Sequence, residues 1–218
     1  MALFLIGAAG DQAPYLTAVR TTVDDAGTPR HTDTQESGHV LAELLGERLA
    51  DEAVRVGANI RTAAPTAPLQ VIHDSVRVPA QVPPAGLHTL RPSTHYDFVP
   101  DGTTDAPFVV ARIGETVLVG VQAELDAGTG KALKAASPFP ATCVVTMVEG
   151  AAKYMAAADS YDRITYGAMN SRYGKDSAES VTARILDVLR SLPRESAGHH
   201  LLTRKQVPSG SWISGTPK

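Results

Sequence analysis

Glu124, Tyr154, Tyr161, Tyr166 and Tyr173 are the side chains of this 218-residue sequence whose types and spacing point to chemistry. Glu124 closes the apolar run 117–123, and the tyrosines crowd into residues 153–174. A carboxylate offers hard oxygen acceptors and a phenol offers an O–H donor. An acid at a strand end is a weak signal alone, and a tyrosine beside a sheet ordinarily packs its ring and wets its hydroxyl. Placement therefore decides. Gly7-Ala-Ala-Gly10-Asp11-Gln-Ala13-Pro14 is a small-residue turn that lets backbone approach a ligand closely. The other reading of that turn is a tight loop with an Asx-type turn at Asp11.

The elements around these residues must bring them together. Residues 108–123 read as a strand hairpin, 117–123 being its second strand, with a helix at 128–136 and an apolar strand at 142–148. Strands joined through such a helix are parallel, since a crossover needs roughly a dozen residues or more. Both then finish at one edge of the sheet, where open α/β folds place ligands. Glu124 and the loop carrying Tyr154 are thus expected to face one crevice. The fold class is α/β: a mixed sheet with a parallel βαβ crossover flanked by helices.

Elsewhere, residues 3–6 read as a buried strand and the polar stretch 23–36 as loop. Leu41, Leu45, Leu49, Ala53 and Val56 recur at helical spacing and predict a core-facing helix over 37–56, stopped by Gly57. Residues 67–82 fit a strand or an irregular hairpin arm, and 83–107 an extended surface excursion carrying solvated His88 and His95. Asp176 and Glu179 have capping-box spacing ahead of a helical stripe, Val181, Ile185, Val188, Leu189 and Leu192, ended by Pro193. An edge strand is expected at 201–207, with 208–218 as an irregular tail holding the only tryptophan. His199 and His200 are adjacent and point apart, which suits a linker better than a ligand pair. Residues 125–132 lack the leading glycine and final Ser/Thr of a phosphate-binding loop.

The length, with 43% hydrophobic residues, suits a single domain over 1–218. A formal charge of −3 gives no reason to expect nucleic acid or an anionic membrane as partner. The one cysteine, Cys143, cannot close an intramolecular disulfide and reads as a small core residue. No run approaches the roughly 18 apolar residues that suggest a transmembrane segment. The start, Met-Ala-Leu-Phe-Leu-Ile, is too short and lacks the basic flank of an export signal, so a cytoplasmic location is expected. A chain that opens inside a core strand also leads one to expect an upstream part elsewhere.

The segment 153–174 resembles the neutral, non-lysosomal ceramidases, amide hydrolases with a zinc site. That family has Gly-Glu-(Leu/Phe)-Thr, then Tyr-(Val/Ile)-Thr-Thr-x-Glu-Glu-Tyr, then Gln-x-Tyr-Glu and a turn ending in an aromatic and glycine. Here stand Ala123-Glu124-Leu125-Asp126, Tyr154 to Tyr161, Tyr166-Gly167 and Tyr173-Gly174, with the tyrosines in register from Tyr154 onward. Gly10-Asp11-Gln12-Ala13-Pro14-Tyr15 looks like the family's Gly-Asp-Val-Ser-Pro-Asn. The resemblance covers the C-terminal half of a family catalytic domain. It implies Glu124 and Tyr154 as zinc ligands, Tyr166 as the catalytic donor to a developing oxyanion, and Gly10, Asp11 and Ala13 as substrate-binding residues. A carboxylate and a phenolate suit a Lewis-acidic zinc, and a neutral phenol can steady a tetrahedral oxygen.

Two departures follow. Ala13 stands where the family has its serine, so a serine-centred step is removed and hydrolysis would rely on metal-activated water. The family's two histidine ligands lie upstream of its Gly-Asp motif, and two ligands fall short of the typical three at a catalytic zinc. The resemblance therefore implies an incomplete domain: a subunit or processed chain of an amidohydrolase, completed by a second chain that supplies the N-terminal half and both histidines. The substrate would be a small-molecule or lipid amide. The alternative is a non-catalytic scaffold or binding subunit that keeps the fold.

Overall fold

The computed structural model of the protein describes residues 3–14, 17–33, 36–61, 67–86 and 90–193. His88, His199, His200 and the expectations for 201–207 and 208–218 lie outside them. In chain order the described part contains a hairpin, β1 (Val19–Val23) and β2 (Pro29–Asp33), then α1 (Ser37–Gly57), β3 (Leu69–Gln81), β4 (Pro100–Ile113) and β5 (Thr116–Val121). There follow β6 (Glu124–Leu125), α2 (Ala127–Ala136), β7 (Ala141–Thr146), β8 (Tyr154–Met155), α3 (Ala158–Asp162), α4 (Tyr166–Met169) and α5 (Ser177–Ser191).

Four strands make the main sheet in the order β3-β4-β5-β7. The first three are antiparallel neighbours, and β5 pairs with β7 in parallel through the α2 crossover. The fold is a mixed-sheet α/β arrangement, as the apolar periodicity predicts. Gly114, at φ +60°, opens the turn between the facing residues Ile113 and Thr116, a position whose left-handed backbone suits glycine. In β5, Val117, Val119 and Val121 lie on one face and are fully or almost fully buried in the core shared with α2 and α5. The α5 stripe Val181, Ile185, Val188, Leu189 and Leu192 is buried throughout, and the helix packs on β3, β4 and α2. Leu133 of α2 and Phe108 of β4 join the same core.

Several expectations are corrected. Residues 3–6 form neither a strand nor a buried segment: Leu3 and Phe4 are 78% and 73% exposed, and the Thr146 N–H at the end of β7 donates to the Ile6 carbonyl. The stretch 23–36 is not all loop. Asp24 Oδ1 accepts from the N–H groups of Ala26 and Thr28, and this turn folds β1 onto β2. The helix over 37–56 forms, yet α1 buries no residue, so its apolar stripe is not core-facing among the described residues. The excursion at 83–107 ends early, because β4 already pairs with β3 from Pro100. Cys143 is exposed rather than core, although the residues that follow it in β7, Val144 and Val145, are buried. The capping box does not form: Asp176 takes a left-handed conformation, φ +71°, and makes no side-chain cap to α5. His95 is exposed beside Asp97, as expected of a solvated loop.

Candidate active site

Beyond the main sheet, β6 and β8 form a separate parallel pair with Glu124 opposite Tyr154 and Leu125 opposite Met155. The Glu124 N–H donates to the Lys153 carbonyl at 2.7 Å. Leu125 and Met155 are 1% and 2% exposed, so this position of each strand faces the core. Side chains alternate along a strand, and Glu124 and Tyr154 therefore share the opposite, half-buried face. Sequence reasoning expects these two to face one crevice; the register sets them side by side, while the cleft between the 10–13 loop and α4 is lined by Tyr154 and not by Glu124.

Tyr154 is held at its backbone by Ser171, fully buried, whose hydroxyl donates to the Tyr154 carbonyl at 2.8 Å. Tyr166 begins α4, capped by Thr165, whose Oγ1 accepts from the Ala168 N–H. The rings of Tyr154 and Tyr166 meet edge to face, centroids 5.7 Å apart at 75°. Burial, the Glu124 charge and Tyr166 together raise the Tyr154 phenol above its ordinary value. Its neutral form is the stable one without a cation.

Gly10, Asp11, Ala13, Tyr154 and Tyr166 line one cleft of about 460 Å³, together with Asp126, Ser160, Arg163 and Thr165. Gly10 packs against the β6 backbone, its N–H donating to the Leu125 carbonyl at 2.8 Å. The Asx turn expected at Asp11 gives way to a longer reach: Oδ1 accepts from the Ala127 N–H at 2.7 Å and so supplies the start of α2. Burial opposes that charge, but the Ala127 N–H, Gln12, its own N–H and Arg163 outweigh it and keep Asp11 below the usual carboxylate range.

Asp126, the N-cap residue of α2, leaves its own helix uncapped. Its Oδ2 accepts instead from Ala157 N–H at 2.9 Å and Ser160 Oγ at 3.1 Å, at the start of α3. Glu179 of α5 accepts from the Ala158 N–H at 2.9 Å in the same place. These acids serve helix starts remote from themselves, which ties the strand carrying Glu124 to the segment carrying both tyrosines. Sequence reasoning misses Asp126, Ser160, Arg163 and Asn170. A signal existed for Asn170, which stands four residues after Tyr166, the spacing of neighbours on a helix.

The fit to a metal is partial. Among the described residues none donates a hydrogen bond to the Glu124 carboxylate or the Tyr154 hydroxyl, so their oxygen lone pairs are open to a cation. No group of three or more His, Cys, Asp or Glu that could hold a metal occurs among the described residues. A carboxylate and a phenol are donor types that suit a hard or borderline cation, and these two alone fall short of the three protein ligands typical of a catalytic zinc.

No family profile matches the chain, and no curated protein sequence does. Solved structures that share partial similarity with it include two ceramidases. A structure described as ceramidase complexed with C2 covers 54% of this chain and 21% of its own, at 19% identity and a TM-score of 0.36. The neutral ceramidase from Pseudomonas aeruginosa covers 60% of this chain and 30% of its own, at 15% identity and a TM-score of 0.39. The chain thus spans less than a third of either ceramidase. No helix among the described residues is long and apolar enough to cross a membrane.

Proposed function

We propose that this chain is one part of a zinc-dependent, ceramidase-like amidohydrolase that cleaves an amide bond, with the remaining metal ligands on a partner chain. The observation that carries the reading is the pairing of Glu124 with Tyr154, with the Tyr166 ring against the second of them. Glu124 and Tyr154 would hold the ion. When bound, zinc supplies Lewis acidity to a carbonyl and acidifies water. Tyr166 stands beside the pair with a hydroxyl able to donate to the oxygen on which charge develops. The Gly10 to Ala13 loop forms the facing wall, where backbone can approach a substrate closely.

Metal content of the isolated chain, compared with that of the chain co-expressed with its partner, tests this reading. Zinc is expected only in the pair, and stoichiometric, tightly held zinc in the solitary chain would sink the shared site. The second reading, a non-catalytic scaffold subunit, is favoured by one observation: the cleft wall carries Ala13, a methyl with no nucleophile. Glu124→Ala in the assembled protein separates the two. Loss of zinc and turnover supports the hydrolase, and unchanged metal and turnover leave only the scaffold.

A further inference from the structure

Asn170 is 3% exposed, and its side chain links two groups: Lys153 Nζ donates to Oδ1 at 3.3 Å, and Nδ2 donates to the Tyr166 hydroxyl oxygen at 3.3 Å. The two ends of an amide are chemically opposite, so which end faces which partner matters. Lys153 is an ammonium with three donors and no acceptor. An inverted amide would set its NH₂ against that ammonium, donor to donor, and leave Lys153 without this acceptor. The cation therefore fixes the amide with its N–H toward Tyr166.

A phenol oxygen that accepts from Asn170 cannot also direct its single O–H back along the same line. We infer that Lys153 and Asn170 are positioning residues that fix the polarity of the Tyr166 hydroxyl, keeping its O–H as a donor for the cleft. The inference rests on the hydrolase reading for its catalytic meaning, while the hydrogen-bond polarity stands by itself. A side chain of opposite polarity at position 170 would undo it. In Asn170→Asp the carboxylate has only acceptors, so it pairs with Lys153 and takes the Tyr166 O–H for itself. The shape is nearly unchanged, but the donor is withdrawn from the cleft.

The test uses the zinc-loaded assembled protein with 4-nitroacetanilide as the probe amide, and side-chain amide NMR of the same variants. Tyr166→Phe is expected to lower kcat about a hundredfold, in the range seen when one oxyanion donor is removed. Asn170→Asp should match it with KM within about threefold, and the double variant should lose no more than either single change, because both remove one O–H donor. Lys153→Met, which leaves the buried residues intact, should lower kcat by roughly tenfold by freeing the amide to invert. The Asn170 NH₂ resonances should shift in Tyr166→Phe. Full kcat in Asn170→Asp, multiplied losses in the double variant, or unmoved Asn170 resonances would each overturn the inference. If no variant, wild type included, turns over the probe while the resonances shift as expected, the polarity stands and the hydrolase reading fails.

Discussion

Tyr154 lies directly across from Glu124 in a ladder only two residues long, with the carboxylate among the causes that keep the phenol protonated. Removing that charge should ease ionisation of the ring. Glu124→Gln is therefore expected to lower the Tyr154 titration midpoint, read from ¹³C-labelled tyrosine NMR in the metal-free chain. An unmoved or raised midpoint would mean that the two side chains do not share a face.

In the proposed hydrolase, zinc ligation by Tyr154 would need the phenolate, whereas burial and Glu124 favour the phenol. Binding must then displace a proton. Zinc affinity of the assembled protein should rise roughly tenfold per pH unit from this group as pH climbs toward the phenol's own titration. Calorimetry in buffers of different ionisation enthalpy should find one fewer proton released in Tyr154→Phe. Equal proton release in both proteins would remove Tyr154 from the ligand set.

A methyl group at position 10 would stand 2.8 Å from the Glu124 carbonyl oxygen and 3.1 Å from that of Leu125. Both neighbours are backbone and cannot swing aside. Gly10→Ala is expected to destabilise the fold by about 1–3 kcal/mol, the usual cost of overpacking. It should also disturb β6 directly, visible as altered Glu124 and Leu125 amide shifts. Denaturation at wild-type midpoint with unchanged shifts would show that the loop does not seat there.

Tyr161, 5% exposed, donates its hydroxyl to the Tyr173 carbonyl at 2.7 Å. Burial pushes its phenol up to about 12, against a smaller opposing effect of the Ser171 hydroxyl and with Glu179, Asp126 and Asp176 adding to the rise. A folded value above the unfolded one means stability that is complete below about pH 10 and is lost as pH rises through the folded value. The contribution is on the order of 2–3 kcal/mol. Tyr161→Phe should flatten this part of the alkaline loss in chemical denaturation between about pH 9 and 12. A steep loss of the same size in the variant would assign it to other groups.

What the sequence makes legible is what the chain satisfies within itself. The β4–β5 hairpin, the α2 crossover and the α5 stripe all bury their apolar residues against one another, so their periodicity reports their surroundings truthfully. Helix α1 has equally good periodicity, yet Leu45 and Leu49 remain 37% and 55% exposed, because spacing reveals a helix without revealing what covers it. The juxtaposition of Glu124 and Tyr154 was readable because a parallel crossover dictates where both strands end. The fine fastening of the site was not. Glu179 has the spacing to cap its own helix, but its carboxylate goes to Ala158, and no local pattern announces a cap given across the fold.

That exchange of caps bears on the order in which the molecule assembles. The acceptor for the first turn of α2 comes from 116 residues away, and those for α3 from 31 and 21. Neither helix can complete its start from local chain alone, so both begin as frayed segments whose ends close only after long loops have been drawn in. The β4–β5 hairpin, with its short turn, has no such wait. Loop-closure entropy therefore predicts that the crevice walls, fastened through these remote caps, close after that hairpin.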